Sequence, residues 1–273
     1  MNKRFVSIVI VIIMLGLYST PFYCHLVFGK GPSEKKKFLD SIKSLVQKEH
    51  YITAQEEIDS FLIEYPGSIQ ITRTKKLKAK IDSLIKVQER FSKEAKGVSK
   101  RYDEFTGITF YEILDNLDLS LGNCNERGER GCFFAFYSYA GEKGEKEDYT
   151  SLVLGILFFA PDWLFIDEYI IKADTNLFRI TPEEVKRDVH TGYYEANISE
   201  SYIKSPLNKD DIKMIETIIS SEEAKIRFSG SRGRKEGIIT KKQKTDLQNT
   251  LNAYKIIKRK NLLKREIYRL LIE

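Results

Sequence analysis

The sequence predicts an α+β protein: an N-terminal membrane helix, a helical hairpin with a long helix, and then an antiparallel β-sheet domain with packed C-terminal helices. Three observations support this prediction. Residues 5–28 contain no Lys, Arg, Asp or Glu. Residues 34–100 are rich in Lys and Glu, with apolar residues three and four positions apart. From residue 103 onward, glycine, aromatic and β-branched residues dominate, as in strands joined by turns.

These observations divide the chain into four parts. Residues 1–30 are a membrane anchor or signal segment, 31–100 a helical segment, 101–257 an α+β domain, and 258–273 a basic amphipathic helix. Residues 30–102 carry 17 basic and 10 acidic side chains, residues 103–225 carry 12 and 25, and residues 226–273 carry 14 and 4. The basic parts either compensate the acidic one or contact anionic lipid. No nucleic-acid-binding module accompanies them, so no nucleic-acid partner is expected.

The apolar run is membrane-directed. As a helix, 24 residues extend about 36 Å, enough for a hydrocarbon core of about 30 Å. Residues 5–18 also have the length of a signal-peptide core, but no small-x-small cleavage site follows closely, which favours an uncleaved anchor over an export signal. Lys30 and Lys35 to Lys37 outnumber Lys3 and Arg4, and this favours a cytoplasmic body.

The helical segment contains apolar residues at Phe38, Ile42, Leu45 and Val46, and then the capping-box pair Thr53 and Glu56. A long helix is predicted from about residue 69 to 96. The stretch HYITAQEEIDSFLIEYPGS resembles the second helix of a tetratricopeptide repeat, with Tyr51, Ala54, Ile58 and Pro66 at that family's spacings and Glu49 in place of its glycine. The resemblance implies a protein partner for the helical segment. An ordinary helical hairpin is the alternative.

Strands are predicted over residues 105–114, 132–140, 149–160, 163–173 and 224–230. Residues 132–140 are apolar on both alternating faces, which predicts a strand covered on both sides. Asp167 and Lys172 predict a solvated edge for the fourth strand. Asn208 is the expected N-cap of a helix over residues 209–219, and Thr240 with Gln243 forms a capping box before the C-terminal helices.

A family resemblance covers residues 103–254. The segments DEFTGITFY, PDWLFIDEYIIKAD, IRFSG and ITKKQKTDLQNTLNAY resemble, in that order, an uncharacterised α+β domain of predicted bacterial envelope proteins and lipoproteins. The resemblance implies a secreted or surface location and an unknown function. Together with the membrane-directed N-terminus, it leads us to expect a single-pass protein of the bacterial inner membrane with an extracytoplasmic body. Export after cleavage and a cytoplasmic body are the alternatives. The chain departs from the family pattern in its cysteine pair and in its basic tail after Tyr254.

The loop NCNERGERGC places Cys124 and Cys132 on either side of seven residues. We expect a hairpin tip that a disulfide closes if the compartment is oxidising. Arg127 and Arg130 in this loop, and Arg232 and Arg234 in SGSRGRKEG (229–237), are candidate contacts for an anion or a partner. A solvated hairpin or loop is the alternative for residues 229–237.

The sequence offers little for catalysis. Three histidines and three cysteines without CxxC spacing scarcely supply a zinc site, so no metal and no cofactor are expected. No phosphate-binding glycine motif and no small-molecule substrate are recognisable. We therefore expect a non-catalytic binding or scaffold module of the cell envelope. The alternative is a hydrolase-like enzyme that uses His190 with a carboxylate or Cys132.

The C-terminal stretch KIIKRKNLLKREIYRLLIE alternates basic and apolar residues. Its apolar face either lies on anionic lipid or packs on the N-terminal helices or a partner. The frequency of apolar positions favours packing.

Overall fold

The computed structural model describes residues 32–65, 71–113, 122–123, 133–143, 149–189 and 198–272. These residues form five helices and two antiparallel sheets, which confirms the predicted α+β class. None of the five helices combines the length and the apolar character needed to cross a bilayer. The predicted membrane helix, residues 5–28, lies outside the described residues and stays a prediction.

Three helices build the helical segment: α1 (Pro32–Gln47), α2 (Tyr51–Glu64) and α3 (Ile71–Glu94). They confirm the predicted hairpin and long third helix. Tyr51, Ala54 and Ile58, which carry the tetratricopeptide resemblance, form the buried face of α2. This face belongs to a core that includes Ile42 of α1 and Ile81 of α3.

The turn between α1 and α2 corrects the predicted capping box. Because α2 begins at Tyr51, Thr53 and Glu56 lie inside the helix, and the N-cap His50 makes no side-chain capping hydrogen bond. The backbone N–H groups of Glu49 and His50 instead donate to the carbonyls of Val46 and Leu45, at 3.2 and 2.9 Å. The C-terminal turn of α1 therefore determines where α2 starts.

Glu49 occupies this turn with a φ of 60°, a conformation that favours glycine. The position is the one at which the tetratricopeptide family has its glycine. Lys260 and Lys264 donate to Oε1 of Glu49 at 3.2 and 3.1 Å. Burial by itself raises the pKa of Glu49, but the nearby ammonium groups outweigh burial and hold the pKa at about 2. These ion pairs oppose the backbone strain at Glu49.

Seven of the described strands form the larger sheet: β1 (Ser99–Asp103), β2 (Ile108–Glu112), β3 (Gly122–Asn123), β4 (Phe133–Lys143), β5 (Tyr149–Ala160), β8 (Lys186–Val189) and β9 (Ile198–Lys204). Their order in the sheet is β1-β2-β4-β5-β9-β8, with β3 also paired to β4. The longest strand, β5, has the bounds that the sequence predicts, whereas β4 extends three residues further than predicted. Buried Phe134 and Phe136 lie on one face of β4, and Tyr139 lies half-buried on the other.

The smaller sheet has the order β11-β10-β6-β7. Its strands are β6 (Ile166–Ala173), β7 (Asn176–Ile180), β10 (Ala224–Gly230) and β11 (Gly233–Ile238). Asp167 and Lys172 of β6 are exposed, but β6 pairs with β10 on one side and β7 on the other, so the predicted solvated edge is wrong and these residues lie on a solvated face. Residues 229–237 form the end of β10, a turn and most of β11, so they are a hairpin.

The two sheets pack face to face through aromatic side chains. The ring of Phe228 in β10 lies 4.9 Å from Phe158 and 5.5 Å from Phe134 of the larger sheet, measured between centroids. Tyr169 of β6 stacks on Tyr202 of β9 at 5.7 Å. All of these rings except Tyr202 are fully buried, and burial of such aromatic area is the main stabilising contribution available to a sandwich.

Two further helices follow, α4 (Lys209–Ser220) and α5 (Lys241–Ile272). The Asn208 side chain accepts hydrogen bonds from Asp210 and Asp211 at the start of α4, which confirms the predicted N-cap. Thr240 and Gln243 exchange hydrogen bonds of 2.8 and 3.2 Å, which confirms the second capping box. The sequence predicts a boundary near residue 258 between the α+β domain and a separate C-terminal helix. In the structure, α5 runs through that position as one helix of 32 residues.

Helix α5 packs on both parts of the protein. Leu247 and Leu251 belong to the core of the sheets, and Leu263 and Ile267 belong to the core of α1, α2 and α3. Asn261 also donates to Thr150 of β5 at 2.9 Å. The prediction that the apolar C-terminal face packs on the N-terminal helices is confirmed.

We predict that Glu49→Gln destabilises the protein by about 1–2 kcal/mol at pH 7, since the carboxylate is 35% exposed and partly screened. A pKa lowered in the folded state contributes stability above the unfolded pKa of about 4.5. The difference in the free energy of unfolding between the variant and the wild type should therefore shrink as the pH falls from about 4.5 towards 2. Urea unfolding across this pH range measures it.

Glu64→Gln is the matched control, because Glu64 is exposed near the end of the same hairpin. It should leave the free energy of unfolding unchanged at every pH. Glu49→Gly should destabilise less than Glu49→Gln, because glycine relieves the strain at positive φ. Equal stability of Glu49→Gln and wild type at pH 7 would contradict the assigned ion pairs.

Candidate binding surface at the β10–β11 turn

The segment between the two sheets, residues 161–165, carries the candidate site. It joins β5 of the larger sheet to β6 of the smaller sheet. Phe165 has a φ of 54°, which is rare for a residue with a bulky side chain. Such strain persists only where the surroundings hold the backbone in place. The contacts that hold Phe165 therefore define the site.

The carboxylate of Glu200 fixes this segment. It accepts hydrogen bonds from the backbone N–H groups of Leu164, Phe165 and Ile166 at 2.7, 2.9 and 2.8 Å. Glu200 belongs to β9 and is 0% exposed. A buried carboxylate is stable only when its oxygens are fully hydrogen-bonded, and three N–H donors meet most of that requirement.

Arg187 of β8 completes the environment of Glu200. Its Nε donates to Oε2 of Glu200 at 3.2 Å, and the two residues face each other in the β8–β9 register. A second guanidinium nitrogen donates to the carbonyl of Ile166 at 3.4 Å. The Arg187 side chain is 36% exposed, so part of its guanidinium faces solvent. One arginine thus neutralises the buried carboxylate and also reaches the surface.

The β10–β11 turn packs closely on the same segment. A Cβ added to Gly230 would lie 2.3 Å from the carbonyl oxygen of Leu164 and 2.5 Å from that of Phe165. Only glycine allows this approach. The backbone N–H of Arg232 donates to the carbonyl of Leu164 at 3.3 Å. The turn and the segment are therefore one packed unit.

Two guanidinium groups lie against the ring of Phe165. The Cζ atom of Arg232 is 4.8 Å from the ring centroid, and that of Arg187 is 5.5 Å away. The indole of Trp163 lies 6.2 Å from the same ring. Stacking on an aromatic ring restricts an arginine without using its hydrogen-bond donors. Among the described residues no carboxylate forms an ion pair with Arg232.

We call this arrangement of Trp163, Phe165, Arg187 and Arg232 the arginine platform. Arg232 and Arg234 were both predicted to contact an anion or a partner, and of these two the structure places only Arg232 on the platform. Arg234 is exposed in β11, opposite Ser229 of β10. Arg187, Phe165 and Glu200 were missed. Glu200 could have been recognised from the sequence, because it alternates with Ile198 and Tyr202 on what is otherwise an apolar strand face.

The other predicted site residues lie outside the described residues. They are Cys124, Arg127, Arg130, Cys132 and His190. The disulfide, the contacts of the cysteine loop and the hydrolase-like arrangement therefore stay predictions. In the part of the chain that the structure describes, no three His, Cys, Asp or Glu side chains are grouped to hold a metal ion.

The helical segment, for which a protein partner is predicted, has a cleft of its own. This cleft has a volume of about 360 Å³ and lies between the start of α2 and the C-terminal half of α3. Ile52, Thr53, Ile85 and Gln88 contribute to its walls. A second cleft, of about 520 Å³, lies between the ends of α4 and β11 and the start of α5. The first cleft is also lined by polar and titratable side chains, namely Glu49, His50, Glu89 and Ser92.

Comparison of the chain with protein-family models, with curated proteins and with solved structures finds no match.

We predict that Glu200→Gln destabilises the protein by about 3 kcal/mol, because it removes the partner of Arg187 and turns an amide N–H₂ towards backbone donors. Thermal and urea unfolding measure the change. The matched control is Glu168→Gln, which removes the exposed pair with Arg179 and should cost less than about 1 kcal/mol. Equal effects of the two substitutions would contradict the role of Glu200.

Proposed function

We propose that this protein is a non-catalytic binding module that residues 5–28 tether to a membrane, with the body on the extracytoplasmic side. The arginine platform carries the proposal. It presents the exposed Arg232 guanidinium on a rigid aromatic support, beside the partly exposed Arg187. Rigid aromatic and arginine side chains are the usual anchors of protein interfaces.

The platform fits an acidic segment of a partner protein. A guanidinium offers a planar fork of donors that matches a carboxylate. Because Glu200 already occupies the three convergent backbone N–H groups, the free donors are those of the side chains. Contact with an acidic ligand would therefore be made by Arg232 and by the solvent-facing part of Arg187.

We predict that Arg232→Gln weakens binding of a fluorescent hexaglutamate peptide by about threefold to tenfold at low salt. Fluorescence anisotropy of the full chain measures the dissociation constant. Lys172→Gln is the control with the same change of charge, since Lys172 is exposed on β6 of the same sheet. Equal binding by the wild type and Arg232→Gln would overturn the role of the platform.

The membrane side of the body has a separate test. If the body is extracytoplasmic, a membrane-impermeant thiol reagent should label Cys124 and Cys132 in intact cells after reduction. Variants with serine at both positions give the background. Labelling only after lysis, and without prior reduction, would place the body in the cytoplasm and contradict this part of the proposal.

The hydrolase alternative depends on His190 and Cys132 and has no described geometry in its favour.

A further inference from the structure

The C-terminal half of α5 has two opposite faces. Ile256, Leu263 and Ile267 point into the core of the helical segment and are at most 5% exposed. A helix advances 100° per residue, so positions 258, 262, 265 and 269 lie on the side opposite these three residues. The apolar face that the sequence analysis considered for lipid contact is thus already covered by protein.

The outward face is basic, and we call it the basic stripe. Leu262 is 38% exposed in its middle and Ile272 is 85% exposed at its end. Its other members are the exposed cations Lys258, Arg265 and Arg269, and the exposed Lys255 and Arg259 lie along its edge, roughly 100° and 60° from the direction of the core.

Few acidic side chains offset this charge. Lys255 pairs with Glu216 of α4 at 2.6 Å. Glu266 lies at the edge of the stripe, and its carboxylate pairs with Lys80 of α3 at 2.5 Å. The charges of Arg259 and Arg269 also act on Glu266, but among the described residues neither guanidinium lies within ion-pairing distance of a carboxylate. The stripe therefore keeps a net positive charge along several turns of helix.

The stripe also lies close to the point where the chain would leave a membrane. Leu263 and Ile267 of α5 share a core with Ile42 and Val46 of α1. Helix α1 begins at Pro32, four residues after the end of the apolar segment at residue 28. Four extended residues span at most about 14 Å. A tether of that length keeps α1, and the helix packed beside it, near the bilayer surface.

We propose that the basic stripe of α5 docks on anionic phospholipid headgroups. The proposal rests on the membrane tether in the proposed function, and it assigns a second contact that orients the body on the bilayer. Each Lys or Arg close to an anionic membrane strengthens binding by about fivefold, and the attraction falls off over a Debye length of about 10 Å at 0.1 M salt. Leu262 and Ile272 add apolar contact at the interface.

The test uses the full chain mixed with vesicles of phosphatidylcholine alone or with 30% phosphatidylglycerol added. A fluorescent amino acid replaces Leu262 in one sample and the exposed Ile63 of α2 in the control. Flotation reports whether the chain associates with the vesicles, and quenching by a headgroup-attached dye reports whether the labelled position is near the surface.

We expect the label at position 262 to be quenched more strongly on anionic than on neutral vesicles, and 0.5 M salt should abolish the difference. Substituting Lys258→Gln, Arg259→Gln and Arg269→Gln together should also abolish it. If the chain associates only peripherally, the same triple variant should lower its binding to anionic vesicles about a hundredfold. Lys172→Gln, Arg234→Gln and Lys241→Gln form a control with the same charge change and should have little effect.

The outcomes separate the stripe from the tether. Association with both vesicle types regardless of salt shows that residues 5–28 insert, and equal quenching at position 262 on the two lipids would then overturn docking by the stripe. Salt-sensitive flotation on anionic vesicles alone shows that the stripe binds although the tether does not insert. Failure to float with either vesicle type would overturn both. Circular dichroism of the triple variant confirms that α5 remains folded.

Discussion

The buried carboxylate of Glu200 determines how the two sheets meet. It accepts hydrogen bonds from three consecutive backbone N–H groups of the segment that joins the sheets, and among the described residues Arg187 is the cation that pairs with it. This arrangement holds Phe165 at positive φ, and its half-buried ring packs against Arg187 and Arg232. Because Gly230 packs against the same backbone, the β10–β11 turn takes its position from the segment as well. The arginine platform at the surface therefore depends on the buried carboxylate of Glu200.

Helix α5 links this sandwich to the helical segment. Its first half packs on the sheets, its second half packs on α1, α2 and α3, and Glu49 contacts Lys260 and Lys264 near the junction. The ion pairs with Glu49 account for two of the many basic residues near the C-terminus. The basic stripe lies on the outer face of the second half of α5, where it is available for an anionic surface. The platform and the basic stripe therefore place positive charge on two separate parts of the surface.

Much of the fold follows from local sequence signals. The bounds of β5 and β10, the long third helix and the caps at Asn208 and Thr240 were predicted, because periodicity and capping chemistry depend on neighbouring residues. Strands β1, β3, β7, β8, β9 and β11 were not assigned. All of them except β9 have six residues or fewer, and all except β3 contain charged side chains, so pairing with a neighbouring strand decides them rather than their own pattern. The same reason explains the Thr53 error, since the geometry of the preceding turn overrides the capping-box motif.

The sequence by itself determined the α+β class, the order of the main elements and the amphipathic character of the C-terminal helix, whereas the membrane-directed N-terminus stays a prediction. These properties depend on composition and on spacings of two to four residues. Only the tertiary structure decided which face of α5 is covered, and it brought Phe165, Arg187, Glu200 and Arg232 together. Those contacts join residues on different strands, and they depend on strand register and on which faces pack, which no local pattern contains.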